Sequence, residues 1–275
     1  AKRNFEVGVA TITDTNDAQA KHDQIVAQQI AAQNDLDNKR IALRVIIGRQ
    51  PGDLRRLGRG FDPPSPSPND QDYWINRALA ENLSVRVAQY NYDIAVLEVD
   101  RQRAGHLPTL DLVGSFNAQG SNASPTSPVQ QSSTQALVGL ALNIPIYQGG
   151  FVNSRIREAI ALQENARDTL EATRRNALFQ AQTGFTGVNS AAASVRALEQ
   201  AVVSAQTSYE SNRTGLEVGV RTTLDVLNTQ QVVFQTRRDL AQAYFNYLIG
   251  VLRLKAAVGG LTDADLEDIN RRLQG

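Results

Sequence analysis

From residue 149 to residue 215 the chain holds no proline, and small or apolar side chains return at alternating steps of four and three. They are Ala181, Phe185, Val188, Ala192 and Val195, then, after one extra step of three, Leu198, Val202, Ala205 and Tyr209. That alternation is the seam of a coiled coil, and the inserted step is a stammer that changes the local winding. At about 1.5 Å per residue the helix would be roughly 100 Å long. A compact domain has no room for such a rod, so the fold must expose much helix surface. Composition agrees: 41% of the residues are hydrophobic, below the ~45–50% of ordinary globular domains.

The end of the rod carries half of an internal repeat. Phe5-Glu-Val-Gly-Val-Ala-Thr-Ile-Thr-Asp14 aligns without a gap on Leu216-Glu-Val-Gly-Val-Arg-Thr-Thr-Leu-Asp225. The same offset pairs Gln19 with Gln230, Gln24 with Gln235, Leu43 with Leu254 and Gly48 with Gly259. Spacing that never slips marks two copies of one supersecondary unit. Gly8 and Gly219 stand where a helix stops, because glycine takes the left-handed conformation without a Cβ penalty. Thr11-x-x-Asp14 and Thr222-x-x-Asp225 have capping-box spacing, with each acid in a first turn where the helix dipole favours negative charge. Each copy is therefore a helical-hairpin tip, followed by helices predicted over residues 14 to about 47 and 225 to about 258.

A third proline-free helix is predicted from 72 to about 104, with Leu79, Leu83, Val87, Ile94 and Leu97 at mixed helical spacing. The segment before it contains Pro51, Pro63, Pro64, Pro66 and Pro68, a density that cannot continue a helix, so it is a linker or belt. Near the end, Thr262 followed by Asp263, Asp265, Glu267 and Asp268 reads as a short capped helix.

Residues 107–147 change character. Leu110, Leu112 and Phe116 alternate with Thr109, Asp111, Ser115 and Asn117, and Val138, Leu140, Leu142, Ile144 and Ile146 alternate with Gly139, Ala141 and Asn143. Both are period-two strands of about ten residues, the length that crosses a bilayer at a tilt of about 45°. Residues 118–135, rich in Ser, Gln, Asn and Pro, are expected to form a wet loop between them. A lone hairpin is marginal in water and untenable in lipid, where each unpaired N–H or C=O costs several kcal/mol. Other copies of the chain, or an upstream part of it, must close the sheet.

The 28 basic and 28 acidic side chains balance, which argues against a nucleic-acid partner. The chain has no cysteine, and with it go disulfides and thiolate metal sites. No nucleophile elbow, phosphate loop, zinc-binding H-E-x-x-H or dinucleotide fingerprint occurs. His22 and His106 stand far apart without a ligand cluster and read as a helix-surface position and a helix-to-strand turn. No catalytic residue, metal site or cofactor is expected, and the chain is not expected to be an enzyme.

Gly105-His-Leu-Pro-Thr-Leu-Asp-Leu112 leading into one strand, Ile144-Pro-Ile-Tyr-Gln-Gly-Gly-Phe-Val-Asn-Ser154 leaving the next, and the paired Val-Gly-Val turns resemble the TolC family of outer-membrane efflux proteins. The resemblance runs over essentially the whole chain. It implies a fold that is mainly α with a membrane β-hairpin: a long coiled-coil α-helical barrel plus a transmembrane β-barrel completed by trimerisation. It further implies that the N-terminal part of a family member, including the long helix before Phe5, is missing. Residues 1–48 would form the first tip and a tunnel helix, 49–71 an equatorial linker, 72–105 a tunnel helix and 106–148 the outer-membrane hairpin. Residues 149–259 would form the long tunnel helix, second tip turn and return helix, and 260–275 a C-terminal equatorial segment.

The function implied is a passive exit duct of a tripartite efflux or type I secretion system, in the bacterial outer membrane and extending through the periplasm. Its implied partners are two further copies in a homotrimer, a periplasmic adaptor (membrane fusion) protein, an inner-membrane pump of RND, ABC or MFS type, and outer-membrane lipid. In the family the tunnel narrows near the second turn, where acidic side chains ring the axis; Asp225 takes the first such position and Asn228 the second. Arg221 matches the family's latch arginine, with Asp14 and Thr13 as its partners, and Leu216 stands where a latch tyrosine is common. Val7, Gly8, Val9, Val218, Gly219 and Val220 at the tips are the implied adaptor contacts. From the residues alone, a capping role explains Asp14 and Asp225 equally well. The alternative reading is a soluble periplasmic coiled-coil adaptor or scaffold protein with a small β-domain.

Overall fold

The structure is a computed structural model that describes residue 8 and residues 11–54, 56–57, 62–121 and 131–274; Val7 and Val9 lie outside the described residues. The elements in order are α1 (Ile12–Ile47), β1 (Arg56–Leu57), α2 (Gln71–Glu81), α3 (Leu83–Arg103), β2 (Thr109–Ser121), β3 (Gln131–Asn143), α4 (Phe151–Glu217), α5 (Thr223–Ala257), α6 (Asp263–Arg272) and β4 (Leu273–Gln274). Two compact units result, one of Ala1–Asn82 with Ala177–Gly275 and one of Leu83–Asn176. The predicted rod is α4, 67 residues long.

In the first unit the predicted seam is the core. Ala181, Val188 and Ala192 of α4 are at most 2% exposed and pack with Trp74 and Ala78 of α2 and with Tyr247, Leu248 and Leu254 of α5. Burying side chains of this size contributes roughly 1.5–3 kcal/mol each for the larger ones. Further along the seam Leu198, Val202, Ala205 and Tyr209 are half-buried. The proline-rich segment is held on this core through the carbonyls that proline retains. Trp74 Nε1 donates to the Pro68 carbonyl at 2.8 Å, the Tyr247 hydroxyl to Pro64 at 2.6 Å and Arg196 to Pro63 at 3.2 Å. β1 pairs antiparallel with β4. α1 packs along α5 yet has no buried residue, and Ile30, Ile41, Val45 and Ile46 are 59% exposed or more.

The single helix expected from 72 to 104 is two helices. Asn82 between them is extended, with φ −61° and ψ 125°. The cause is tertiary. Asn82 is buried, and its side-chain amide donates to the carbonyl of Ala257, the last residue of α5, at 2.7 Å. The backbone of Gly259 comes so close that a Cβ there would lie 2.3 Å from the Glu81 carbonyl oxygen. A helix continued through Asn82 would surrender both contacts.

In the second unit β2 and β3 pair antiparallel in one continuous register from Thr109↔Asn143 to Ser121↔Gln131. Leu110↔Leu142, Leu112↔Leu140, Gly114↔Val138 and Phe116↔Ala136 share one face. Leu110, Leu112, Phe116, Val138, Leu140 and Leu142 on that face are 63% exposed or more. Two expectations change. The strands are longer than foreseen, and residues 118–121 and 131–135 belong to the ladder rather than to the loop, because backbone pairing does not depend on side-chain polarity. β3 also stops at Asn143, so Ile144 and Ile146 are not strand residues. Pro145 follows at once and has no N–H to donate to a ladder. In α3, Val85, Ala88 and Val99 are buried, whereas the stripe of Leu83, Val87, Ile94 and Leu97 is 58% exposed or more.

Candidate functional site

α4 and α5 are joined by only the five residues 218–222. The turn closes α4 with a paired bond pattern: the Gly219 N–H donates to the Leu216 carbonyl at 3.1 Å and the Val220 N–H to the Gly215 carbonyl at 2.8 Å. This is the Schellman arrangement, and it needs a left-handed residue at its centre. Gly219, with φ 81°, supplies it. The Arg221 N–H also reaches the Gly215 carbonyl, at 3.1 Å.

α5 then opens on a capping box. The Asp225 carboxylate accepts from the Thr222 N–H at 3.0 Å and from its hydroxyl at 2.9 Å, while the Asp225 N–H donates to the Thr222 hydroxyl oxygen at 3.2 Å. The first copy of the repeat is built alike: Asp14 accepts from the Thr11 N–H at 2.9 Å and hydroxyl at 2.8 Å and donates back at 3.2 Å. Gly8 has φ 73°, close to that of Gly219. Both capping roles expected from spacing are therefore present.

These bonds favour the ionised form of both acids. The Thr11 backbone N–H, then its hydroxyl, keeps the Asp14 carboxyl below the usual carboxylate range. The Thr222 N–H and hydroxyl do the same at Asp225, helped by the positive charge of Arg221. Within the chain, then, Arg221 acts on Asp225, and the described contacts of Asp14 are to Thr11. Thr13 is exposed. Asn228 is exposed one helical turn beyond Asp225, on the same face. Val218 and Val220 are 69% and 74% exposed, Gly219 between them is exposed, and so is Gly8 in the first copy. Leu216 is half-buried.

Sequence reasoning passed over Gly215, which sits beneath the Arg221 side chain. It also missed a junction in the other unit. The 3₁₀ turn Ala104–His106 meets the start of α4, where the His106 ring lies 3.2 Å from Asn153 Oδ1 and Gly105 faces the Val152 methyls. The two conspicuous motifs that flank the hairpin are thus brought together. Among the described residues no helix is long and apolar enough to cross a membrane, and no group of residues could hold a metal ion.

A protein family described as outer membrane efflux protein matches residues 74–260. The chain belongs to this family. Among the relatives of this efflux-protein family, the outer membrane protein TolC of Escherichia coli is 34% identical over 280 residues, covering 98% of this chain and 56% of that protein. The alkaline protease secretion protein AprF of Pseudomonas aeruginosa is 33% identical over 268 residues, covering 97% and 55%. The chain spans little more than half the length of the curated relatives it matches. Of solved structures, the CmeC outer membrane channel of Campylobacter jejuni aligns with a TM-score of 0.73 at 16% identity, covering 98% of this chain and 58% of that one. VceC of Vibrio cholerae aligns with a TM-score of 0.72 at 17% identity, covering 94% and 61%. The fold is that of the outer-membrane efflux channels, mainly α with a β-hairpin, and the soluble-adaptor reading falls. The family comprises channel proteins rather than enzymes, and its members reside in the bacterial outer membrane.

Proposed function

We propose that the chain forms part of a trimeric channel-tunnel, the passive exit duct of a tripartite efflux or type I secretion system, gated at its periplasmic tip. The observation that carries this is the hairpin. It is a two-stranded sheet with an exposed apolar face, and in lipid its outer edges need strands from elsewhere. Copies related by rotation supply them, and they also cover the bare stripes of α1 and α3. A periplasmic adaptor and an inner-membrane pump of RND, ABC or MFS type complete the path, with outer-membrane lipid around the barrel. In this reading residues 1–48 and 149–259 carry the tips and tunnel, 106–148 the outer-membrane hairpin, and 49–71 with 260–275 an equatorial belt, while 72–105 contributes the two helices α2 and α3 rather than one.

At the tip, three copies of Asp225 ring the axis with Asn228 one turn deeper. Three carboxylates about 6 Å apart in water repel by roughly 0.7 kcal/mol per pair, enough to favour cations and too little to hold a tunnel open. Closure rests on Arg221 linking to Asp14 and Thr13 between neighbouring copies, each exposed link contributing about 0–1 kcal/mol. Val218, Gly219 and Val220, with Gly8, offer the adaptor exposed apolar side chains and backbone, and Val7 and Val9 belong to the same contact by their place in the repeat. The test is to purify the full-length protein in detergent, image it and record it in planar bilayers. A three-fold particle with cation-preferring channels is expected; a water-soluble monomer without channel activity would overturn the reading.

A further inference from the structure

We propose that Gly215 is a positioning residue for the tip: its missing side chain sets the direction of the Arg221 guanidinium. The proposal rests on the latch reading of Arg221. A Cβ at Gly215 would lie 2.7 Å from Arg221 Cγ, 3.4 Å from Arg221 Cβ and 3.5 Å from Val220 Cγ2. Carbon atoms in contact settle at about 3.5–4.0 Å, so a methyl group here drives the arginine stem away by about 1 Å or into another χ1 rotamer. Cγ is the root of the long side chain, and everything beyond it moves with it. The Gly215 carbonyl meanwhile accepts the N–H of both Val220 and Arg221. One residue thus pins the arginine backbone and leaves a slot for its stem. It is buried, although it lies in the last turn of α4 next to an exposed turn.

The backbone itself does not call for glycine. Gly215 is helical and is not among the positive-φ glycines, and in a helix glycine is less favourable than alanine. The repeat adds an independent comparison. At the shared offset Asn4 stands opposite Gly215 and Ala10 opposite Arg221. The copy that lacks the long cation is the copy that lacks the glycine.

The experiment uses the full-length protein in planar bilayers, with Gly215→Ala, Gly215→Asn, Arg221→Ala and the double variant Gly215→Ala/Arg221→Ala, and a thermal melt of each. Gly215→Ala and Gly215→Asn are expected to reproduce at least half of the rise in single-channel conductance caused by Arg221→Ala. The double variant is expected to conduct no more than Arg221→Ala alone, because both changes remove the same contact. The melting temperature of Gly215→Ala should be unchanged or higher, which separates a redirected side chain from a damaged helix. Wild-type conductance in both Gly215 variants beside an altered Arg221→Ala, or additive effects in the double variant, would overturn the positioning role while leaving the latch intact. Wild-type conductance in Arg221→Ala itself would remove the latch and this proposal together.

Discussion

The side-chain amide of Asn82 donates to the Ala257 carbonyl at 2.7 Å across 175 residues of sequence. The carbonyl is one of those that a helix end leaves without an internal partner, and the amide belongs to the residue that separates α2 from α3. Asn82→Ala is expected to lower stability by about 1–3 kcal/mol, because it leaves the half-buried Ala257 carbonyl without this donor. A denaturant titration of the full-length protein in detergent measures this; an unshifted midpoint would show that the break is held by something else.

Gly48 and Gly259 are repeat partners with φ 70° and 69°, but the space around them differs. A Cβ at Gly48 meets nothing within 4 Å, whereas at Gly259 it meets the Glu81 carbonyl oxygen at 2.3 Å. Gly48→Ala should cost about 1–2 kcal/mol for the left-handed conformation alone. Gly259→Ala should cost about 1–3 kcal/mol more, since backbone must move. Equal midpoints for the two variants would contradict the close approach.

Asp225 caps α5, and substitution can separate that role from the proposed one in the pore. Asp225→Asn keeps an acceptor for Thr222 and removes the charge, so cation preference, read as reversal potential in a salt gradient, should fall with little change in melting temperature. Thr222→Ala should do the reverse, weakening the cap by about 0.5–2 kcal/mol with selectivity preserved. Unaltered selectivity in Asp225→Asn would leave the residue a cap only.

Arg221→Ala and Asp14→Ala should each raise single-channel conductance in planar bilayers. If the two side chains meet between copies, the double variant should gain less than the sum of the single effects. Wild-type conductance in all three would take both residues out of the latch.

Acid should loosen α6 before it loosens the core. The Lys255 ammonium, bonded to Asp265, lowers that carboxyl from 3.8 to about 2, with help from the Thr262 N–H. A carboxylate with a depressed folded pKa stabilises above its unfolded value and loses that contribution as pH falls through the folded one. Hydrogen exchange in α6, taken relative to the intrinsic rate at each pH, should therefore accelerate as pH drops from 3.8 toward about 2. In Asp265→Asn that acceleration should be absent; its persistence would place the acid sensitivity elsewhere.

What the sequence revealed was local. Thr-x-x-Asp and a glycine a few residues before it act through groups that all lie within one short stretch, so the second turn and both caps are legible from spacing. The α4 seam was legible because it repeats. The Asn82 break was not, since its cause lies 175 residues away. The ends of β2 and β3 are not legible at 118–121 and 131–135, because polar residues such as Gln119, Ser121 and Ser132 say nothing against backbone pairing. The His106–Asn153 contact joined two motifs that sequence placed 47 residues apart. At the tip, Gly215 was detectable in principle by comparing the two repeats, where it changes together with Arg221.

The β2–β3 ladder runs unbroken over 13 residues on each side. Adding or deleting one residue in either strand would rotate every leucine beyond it to the opposite side of the sheet. A wall assembled from this ribbon can therefore lengthen or shorten only by even increments. Parity, more than greasiness, is what mutation must conserve there.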